Sequence, residues 1–158
     1  MSFIKPIKRS KQLAPLSREH HDVLMFAWNI KQGLNNWTPA EEISPYVRWY
    51  WSNFMQPHFD QEENILVADL PASDELKQQL KTEHDNIREL IGGPLSKSAL
   101  IILAEVINDH IRFEERRLFP HIEHTLTKEQ LNHIYRQLEQ QPQCHEKWGN
   151  EFWKRKLG

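Results

Sequence analysis

The chain has 158 residues, of which nine are histidine, six are tryptophan and one, Cys144, is cysteine. This length suits a single domain, and the formal net charge of −2 offers no general attraction for nucleic acid. One cysteine excludes an internal disulfide, and no apolar run approaches the roughly 20 residues that a membrane-spanning helix needs. The first residues also lack an apolar stretch of signal-peptide length. We therefore expect a cytoplasmic protein that binds neither nucleic acid nor a membrane.

Residues 1–15 contain two prolines and no apolar periodicity, which indicates an N-terminal arm. The basic residues of this arm, Arg9 among them, are interpreted as part of a solvated tail. A first helix is predicted from an N-cap at Ser17 to about Leu34. Its apolar stripe is expected to comprise Leu16, His20, Val23, Leu24, Ala27 and Trp28.

A second helix is predicted to run to about Ala68, and two proline pairs compete for its start. Thr38-Pro39 has capping-box spacing to Glu41, and Ser44-Pro45 is a second candidate. Pro57 lies within the helix and removes one backbone donor, so a kink is expected there.

Three further helices follow, and no segment alternates with period two for long enough to form a strand. The predicted helices start near Pro71, Ser98 and Thr127 and end, respectively, at Gly92-Gly93, about Ile122 and before Pro142. Aromatic residues of the tail (Trp148, Phe152, Trp153) are expected to pack on the body. The pattern predicts an all-α fold, in which residues 16–126 form an antiparallel four-helix bundle and residues 127–158 form an additional short helix and a tail.

Two pairs of segments repeat along the chain. HFDQEENIL (58–66) resembles HIRFEERRLFP (110–120), and Leu-x-x-Glu-His occurs at 16–20 and again at 80–84. Each longer segment places a histidine and a glutamate four residues apart, which is one face of a helix. The histidines of the shorter repeats fall on apolar stripes. The repeats therefore direct six side chains toward the core of the bundle: His20, His58, Glu62, His84, His110 and Glu114.

These six side chains together predict a metal site. A single inward histidine is usually a hydrogen-bonded core residue, and a single His-x-x-x-Glu is usually a surface pair. Four imidazoles and two carboxylates in one core, however, all need a partner, which a pair of metal ions would supply. Mixed imidazole and carboxylate donors suit iron, manganese or zinc. Ferritin-like bundles place glutamate before histidine in Glu-x-x-His, and this chain has the opposite order.

The motifs PHFDQEENIL and HIRFEERRLFP resemble those of the hemerythrin-like, or HHE cation-binding, family over residues 13–126. The resemblance implies a four-helix bundle around two non-haem iron ions with an oxo or hydroxo bridge. Matched position by position, it implies that Glu62 and Glu114 bridge the irons and that four histidines are terminal ligands: His20, His58, His84 and His110.

The chain departs from the oxygen-carrying members of that family at Arg88, where they have a fifth histidine. This departure implies an open coordination position or a further ligand, for which His21, Glu63 and His121 are the candidates. The repeat favours His20 over His21 as the ligand on the first helix. We further expect the Arg88 cation to attract anions such as peroxide or azide toward the metals.

The resemblance implies a protein that binds O₂ or a related diatomic or peroxide ligand for sensing, storage, detoxification or iron handling. A binding protein is favoured over an enzyme. Two alternatives remain open, namely a di-iron oxidase- or peroxidase-like enzyme and a helical interaction module with a structural metal. The sequence also leaves open a protein partner or a homo-oligomer.

Overall fold

A computed structural model describes residues 9–156, and within this range the chain is helical and contains no strand. The predicted arm falls partly outside the described residues, because residues 1–8 are not among them. Seven α-helices follow in order: α1 Ala14–Asn35, α2 Ala40–Tyr50, α3 Gln56–Gln61, α4 Glu75–Gly92, α5 Lys97–Phe113, α6 Phe119–Thr125 and α7 Lys128–Glu139. A 3₁₀ turn, Phe152–Lys154, lies in the tail.

Two of the four long helices are interrupted by π turns, in which the backbone hydrogen bonds span five residues. Trp51–Met55 joins α2 to α3, Glu62–Leu66 follows α3, and Glu114–Leu118 joins α5 to α6. We call the continuous segment 40–66 the second rod and the continuous segment 97–125 the fourth rod. Single π turns inside α-helices are frequent at functional sites, and two of these three begin at a glutamate of the predicted metal site.

The first helix begins earlier than predicted. Helix α1 starts at Ala14, with Pro15 in the first turn, where its missing N–H removes no hydrogen bond. Ser17 is therefore not the N-cap, and its hydroxyl instead donates to the two carboxylate oxygens of Glu115 at 2.8 and 2.9 Å. The predicted stripe is also partly wrong, since Leu24 and Trp28 are 40% and 48% exposed.

The second rod begins near the first of the two proline pairs, with Pro39 preceding Ala40, while Pro45 lies inside α2. The disturbance expected at Pro57 takes the form of a π turn. That turn ends at Met55, so Pro57 falls in the first turn of α3. The rod ends at Leu66, slightly before the predicted end.

The remaining helices have polar caps at their starts. The carboxylate of Asp74 accepts from two backbone amides of α4, and the hydroxyl of Ser96 accepts from one amide of α5. Helix α4 starts a few residues after the predicted position near Pro71, and α5 starts one residue before the predicted Ser98. The capping box of Thr127 and Gln130 at the start of α7 is present.

The order of buried residues along each rod shows that the bundle is antiparallel. One apolar cluster contains Val23, Met55, Ile87 and Ile107, among others, and the other contains Leu16, Ile65, Leu80 and Leu118. The chain passes from the second cluster to the first in α1 and α4, and in the opposite direction in the second and fourth rods. The predicted four-helix bundle with a short additional helix is thereby confirmed, and the six polar residues lie between its two apolar clusters.

The tail packs on the bundle, as predicted. Phe152 is fully buried in the first cluster, and Trp148 and Trp153 are partly buried beside it. A Cβ added to Gly33 of α1 would lie 2.5 Å from a ring carbon of Phe152, so any larger residue would force that ring to shift. Helix α7 contributes Leu131 to the second cluster. The division at residues 15 and 126 into arm, bundle and C-terminal segment stays a prediction. No helix in the described part of the chain is long and apolar enough to cross a membrane.

Candidate metal centre

Six polar side chains meet between the two apolar clusters, and each is at most 4% exposed. They comprise one histidine from α1, one from α4 and a histidine–glutamate pair from each of the other two rods. In each pair the imidazole Nε2 lies near the carboxylate, at 3.4 Å for His58 and Glu62 and 3.3 Å for His110 and Glu114. The structure therefore brings together every residue of the predicted ligand set: His20, His58, Glu62, His84, His110 and Glu114.

Each carboxylate faces two pairs of histidines at once, of which one is His20 with His58 and the other is His84 with His110. Oε2 of Glu62 lies 3.6 Å from His20 Nε2, and its Oε1 lies 3.1 Å from His84 Nε2. Glu114 repeats this arrangement, with Oε2 2.7 Å from His20 Nε2 and Oε1 3.7 Å from His84 Nε2. Two groups of four residues result, in each of which the potential ligand atoms lie within 4.8 Å of one another. The first group is His20, His58, Glu62 and Glu114, and the second is Glu62, His84, His110 and Glu114.

The potential ligand atoms fit a pair of metal ions because most of them lack a hydrogen-bond partner. Among the described residues, no hydrogen bond reaches Oε2 of Glu62, either oxygen of Glu114, or Nε2 of three histidines (His20, His58, His110). The 2.7 Å approach of His20 to Glu114 is not aligned as a hydrogen bond. Buried polar atoms without partners are costly. Two cations that share the two carboxylates would provide a partner for all of these atoms.

The outward nitrogen of each histidine is held by a second carboxylate. The Nδ1 atoms lie 2.5–2.8 Å from oxygens of four further glutamates, in the pairs His20–Glu115, His58–Glu19, His84–Glu63 and His110–Glu83. An ionised carboxylate only accepts hydrogen bonds, so the contact favours the imidazole with a proton on Nδ1. The lone pair of Nε2 then points toward the centre, which is the state in which histidine binds a metal.

These four glutamates, which we call the outer ring, connect the rods in a closed circle. Glu19 of α1 reaches the second rod, Glu63 of the second rod reaches α4, Glu83 of α4 reaches the fourth rod, and Glu115 of the fourth rod returns to α1. Our sequence interpretation considered only Glu63 among these four, as a candidate further metal ligand, and did not predict the ring. The signal was nevertheless present, since each ring glutamate is adjacent in sequence to a predicted ligand within the repeats.

The site is strongly polarised in the absence of metal. Burial lowers the pKa of His58 and of His84, but nearby carboxylates outweigh it, chiefly Glu62 for His58 and Glu114 with Glu62 for His84, and raise these values to about 9 and about 10. Burial raises the pKa of Glu62 and so does the charge of Glu114, yet the imidazolium groups bring it down to about 2. The metal-free site is therefore a cluster of ion pairs near neutral pH.

None of the three further ligand candidates joins the six. His21 is exposed, and the Nε2 of His121 lies 2.7 Å from the carboxylate of Asp74. Glu63 binds His84 and Arg88 in the outer ring. Arg88 is held by Glu63 and by Asp85. Since its charge is already paired, the expected attraction of anions toward the metals loses its basis.

Comparison with protein families agrees with this geometry. Residues 11–122 match the model of the hemerythrin HHE cation-binding domain, which is well over half of the chain. The chain therefore belongs to that family of cation-binding proteins. No curated protein and no solved structure gives a significant match.

The neighbouring histidines of α1 provide a direct test of the site. We expect His20→Ala to reduce metal binding strongly and His21→Ala to leave it unchanged, because His20 is buried against Glu114 whereas His21 is exposed. Metal content measured on both purified variants would check this. Loss of metal in His21→Ala with retention in His20→Ala would mean that α1 is rotated relative to this arrangement.

Proposed function

We propose that this protein is a cytoplasmic, non-haem di-iron protein that binds O₂ or a related diatomic or peroxide ligand at the metal pair. Sensing, storage, detoxification and iron handling are the roles that such binding would serve. The observation that carries the proposal is the sharing of two buried carboxylates between two histidine pairs. The family match supports cation binding.

The donor set is compatible with iron, and the resemblance to the hemerythrin-like family favours iron over manganese or zinc. Imidazole and carboxylate ligands without thiolate suit iron, and the shared carboxylates suit two ions of one kind. A pair of irons would supply electrons and open coordination positions for a small ligand. The proposed ligands are His20, His58, His84 and His110 as terminal donors, with Glu62 and Glu114 as bridges.

The protein's own residues would orient these donors and exclude water. The outer-ring carboxylates hold each imidazole at Nδ1, the nitrogen that faces away from the centre. Two fully buried phenylalanines cover imidazole faces, with Phe59 stacked on His84 at 3.7 Å and Phe119 stacked on His20 at 5.2 Å between ring centroids. A small diatomic molecule can reach such a site more readily than a large one.

Each group has two histidines and no third, so a metal ion held there would keep an open coordination position. We therefore propose that the reduced iron pair reacts irreversibly with O₂. Stopped-flow mixing of anaerobic, reduced protein with O₂ would test this. The expected result is direct conversion to the spectrum of the oxidised protein, with no O₂ released under vacuum. Reversible uptake of O₂ would contradict the irreversible reaction and would leave carriage or storage of O₂ as the role.

A pocket favours an oxidase- or peroxidase-like enzyme as the alternative. A cavity of about 330 Å³ lies between α1, the second rod and residues 138–145, and His58 and Glu19 form part of its wall. Tyr50, only 7% exposed, also lines this cavity, and its hydroxyl makes no hydrogen bond to a described residue. A small organic molecule in this space would touch a proposed metal ligand.

Filling the pocket separates the two functions. Asn53 lines the cavity and is not a proposed ligand, so Asn53→Trp should leave metal content unchanged. If the protein is an enzyme, oxidation of an added phenolic reductant by peroxide should slow in this variant. If it is a binding protein, wild type and variant should both oxidise the reductant no faster than free iron does.

The interaction module with a structural metal has weaker support. Several apolar side chains are 40–49% exposed, namely Leu24, Met25, Trp28, Ile101 and Ile102. They leave a protein partner or a homo-oligomer open, and size-exclusion chromatography with light scattering would distinguish a monomer from an oligomer.

A further inference from the structure

Two of the four outer-ring glutamates are each held by an arginine, and their surroundings match. In the first arrangement, Arg88 Nη2 lies 2.5 Å from Glu63 Oε2, which lies 2.7 Å from His84 Nδ1. The guanidinium of Arg88 also lies 5.8 Å from the ring centroid of Phe59, and Phe59 stacks on His84 with only 4° between the ring planes. An arginine, a glutamate, a histidine and a phenylalanine thus form one contact group.

The second arrangement repeats these four residue types at the first histidine. Arg9 Nη2 lies 3.3 Å from Glu115 Oε1, and Glu115 Oε2 lies 2.7 Å from His20 Nδ1. The Arg9 guanidinium lies 5.0 Å from the ring centroid of Phe119, which stacks on His20 with 15° between the planes. The interpretation of Arg9 as part of a solvated tail is wrong, because its side chain is only 7% exposed.

These arrangements are distributed evenly over the two metal-ligand groups. His20 belongs to the first group and His84 to the second. The other histidine of each group, His58 or His110, contacts an outer-ring glutamate that has no salt bridge to a lysine or arginine among the described residues. Each proposed metal position therefore has one histidine supported by an arginine and one without such support.

We propose that Arg9 and Arg88 are matched positioning residues, each of which holds an outer-ring carboxylate on one histidine and so sets the metal affinity of one position. This inference rests on the proposed function. Arginine suits the task because its planar guanidinium can hold a carboxylate oxygen in a fixed direction. The carboxylate then fixes the proton on Nδ1 and directs Nε2 toward the metal. Arg88 stands where the oxygen-carrying members of the family have a fifth histidine, and here it orients a metal ligand instead of binding the metal.

Zinc binding tests the proposal without any redox chemistry. The two binding steps would be measured by competition with a chelating dye for wild type, Arg9→Met and Arg88→Met. We expect each substitution to weaken one step about 10-fold, in the lower range for residues that orient metal ligands, and to leave the other step unchanged. Arg112→Met is the matched control, since Arg112 is an exposed arginine whose one salt-bridge partner among the described residues is Asp109.

A double-substitution cycle shows whether each arginine acts through its glutamate. Glu63→Gln should weaken the same step as Arg88→Met, and the combined variant should be no weaker than Glu63→Gln alone. Glu115→Gln and Arg9→Met should behave likewise, and Glu115→Gln keeps the contact of Arg9 with Glu123 if loss of Arg9 prevents folding. In the zinc-bound protein, the NMR signal of the His84 Nδ1 proton should exchange faster in Arg88→Met, while that of His110 stays unchanged.

The outcomes separate this proposal from the proposed function. Wild type that binds two zinc ions, with affinities unaltered in the arginine variants or with additive effects in the cycle, would overturn the positioning role alone. Wild type that binds no metal would overturn both.

Discussion

Replacing Glu62 with alanine should remove both metal ions from the protein rather than one. The two oxygens of this carboxylate face different histidine pairs, so each proposed metal position loses a ligand. Because residues that merely orient a ligand contribute 10- to 100-fold in affinity, we expect the loss of a shared ligand to exceed about 100-fold for each ion. Metal content per chain, measured by elemental analysis after gel filtration, would fall close to zero.

The control for this prediction must separate metal loss from unfolding. Asp69→Ala removes an exposed carboxylate just beyond the same rod and should retain both ions. Far-ultraviolet circular dichroism should show that Glu62→Ala remains helical, because the two apolar clusters on either side of the site are untouched. Retention of one ion per chain in Glu62→Ala would contradict the sharing of this carboxylate.

The second large effect concerns stability: metal removal should destabilise the protein more at pH 8.5 than at pH 6. In the metal-free protein the pKa values of His58 and His84 are raised to about 9 and about 10, compared with an ordinary value near 6.5. A raised pKa stabilises the folded state fully below pH 6.5, and this contribution is lost as pH rises toward the folded value. For His58 alone, the loss between pH 6 and 8.5 is on the order of 2–3 kcal/mol.

On the acidic side the lowered pKa of Glu62, about 2, has the opposite effect. Its contribution is present above about pH 4.5 and is lost as the pH falls toward 2. The metal-free protein should therefore be most stable between about pH 4.5 and 6.5. In the metal-bound protein the histidines are unprotonated, whereas those of the unfolded chain lose their protons near pH 6.5, so its stability should rise from pH 6 to 8.5.

Thermal melts of chelator-treated and metal-loaded protein would measure the difference. We expect the gap between the two melting temperatures to widen from pH 6 to 8.5 by at least roughly 5–10 °C, which is the contribution of His58 alone. The exposed histidine His21 supplies the control, since His21→Ala should leave the widening intact. A gap that stays constant with pH would show that the histidines of the metal-free protein are not protonated as a paired cluster.

The sequence was sufficient to predict the bundle and the six inward groups, because both depend on periodicity. Histidines and glutamates four residues apart within apolar stripes must lie on one buried face of a helix. The rotation of α1 was harder to predict. Leu24 and Trp28 are as apolar as Phe26 and Ile30, and only packing shows which of them face the core.

What the sequence could not show was contact between distant segments. The outer ring joins each rod to the next through pairs such as Glu115 and His20, which are 95 positions apart. Arg9 lies in a basic stretch whose composition is typical of a solvated tail, yet it contacts Glu115 and Glu123 over a hundred residues away. Without the arrangement of the rods, neither contact follows from local pattern.

The central claim is that two like metal ions share Glu62 and Glu114. Elemental analysis with an optical spectrum, on protein purified aerobically from iron-replete cells, tests it most directly. We predict two irons per chain and the near-ultraviolet absorption of oxidised, bridged iron. A protein with no metal, or with a single zinc and no such absorption, would contradict the account.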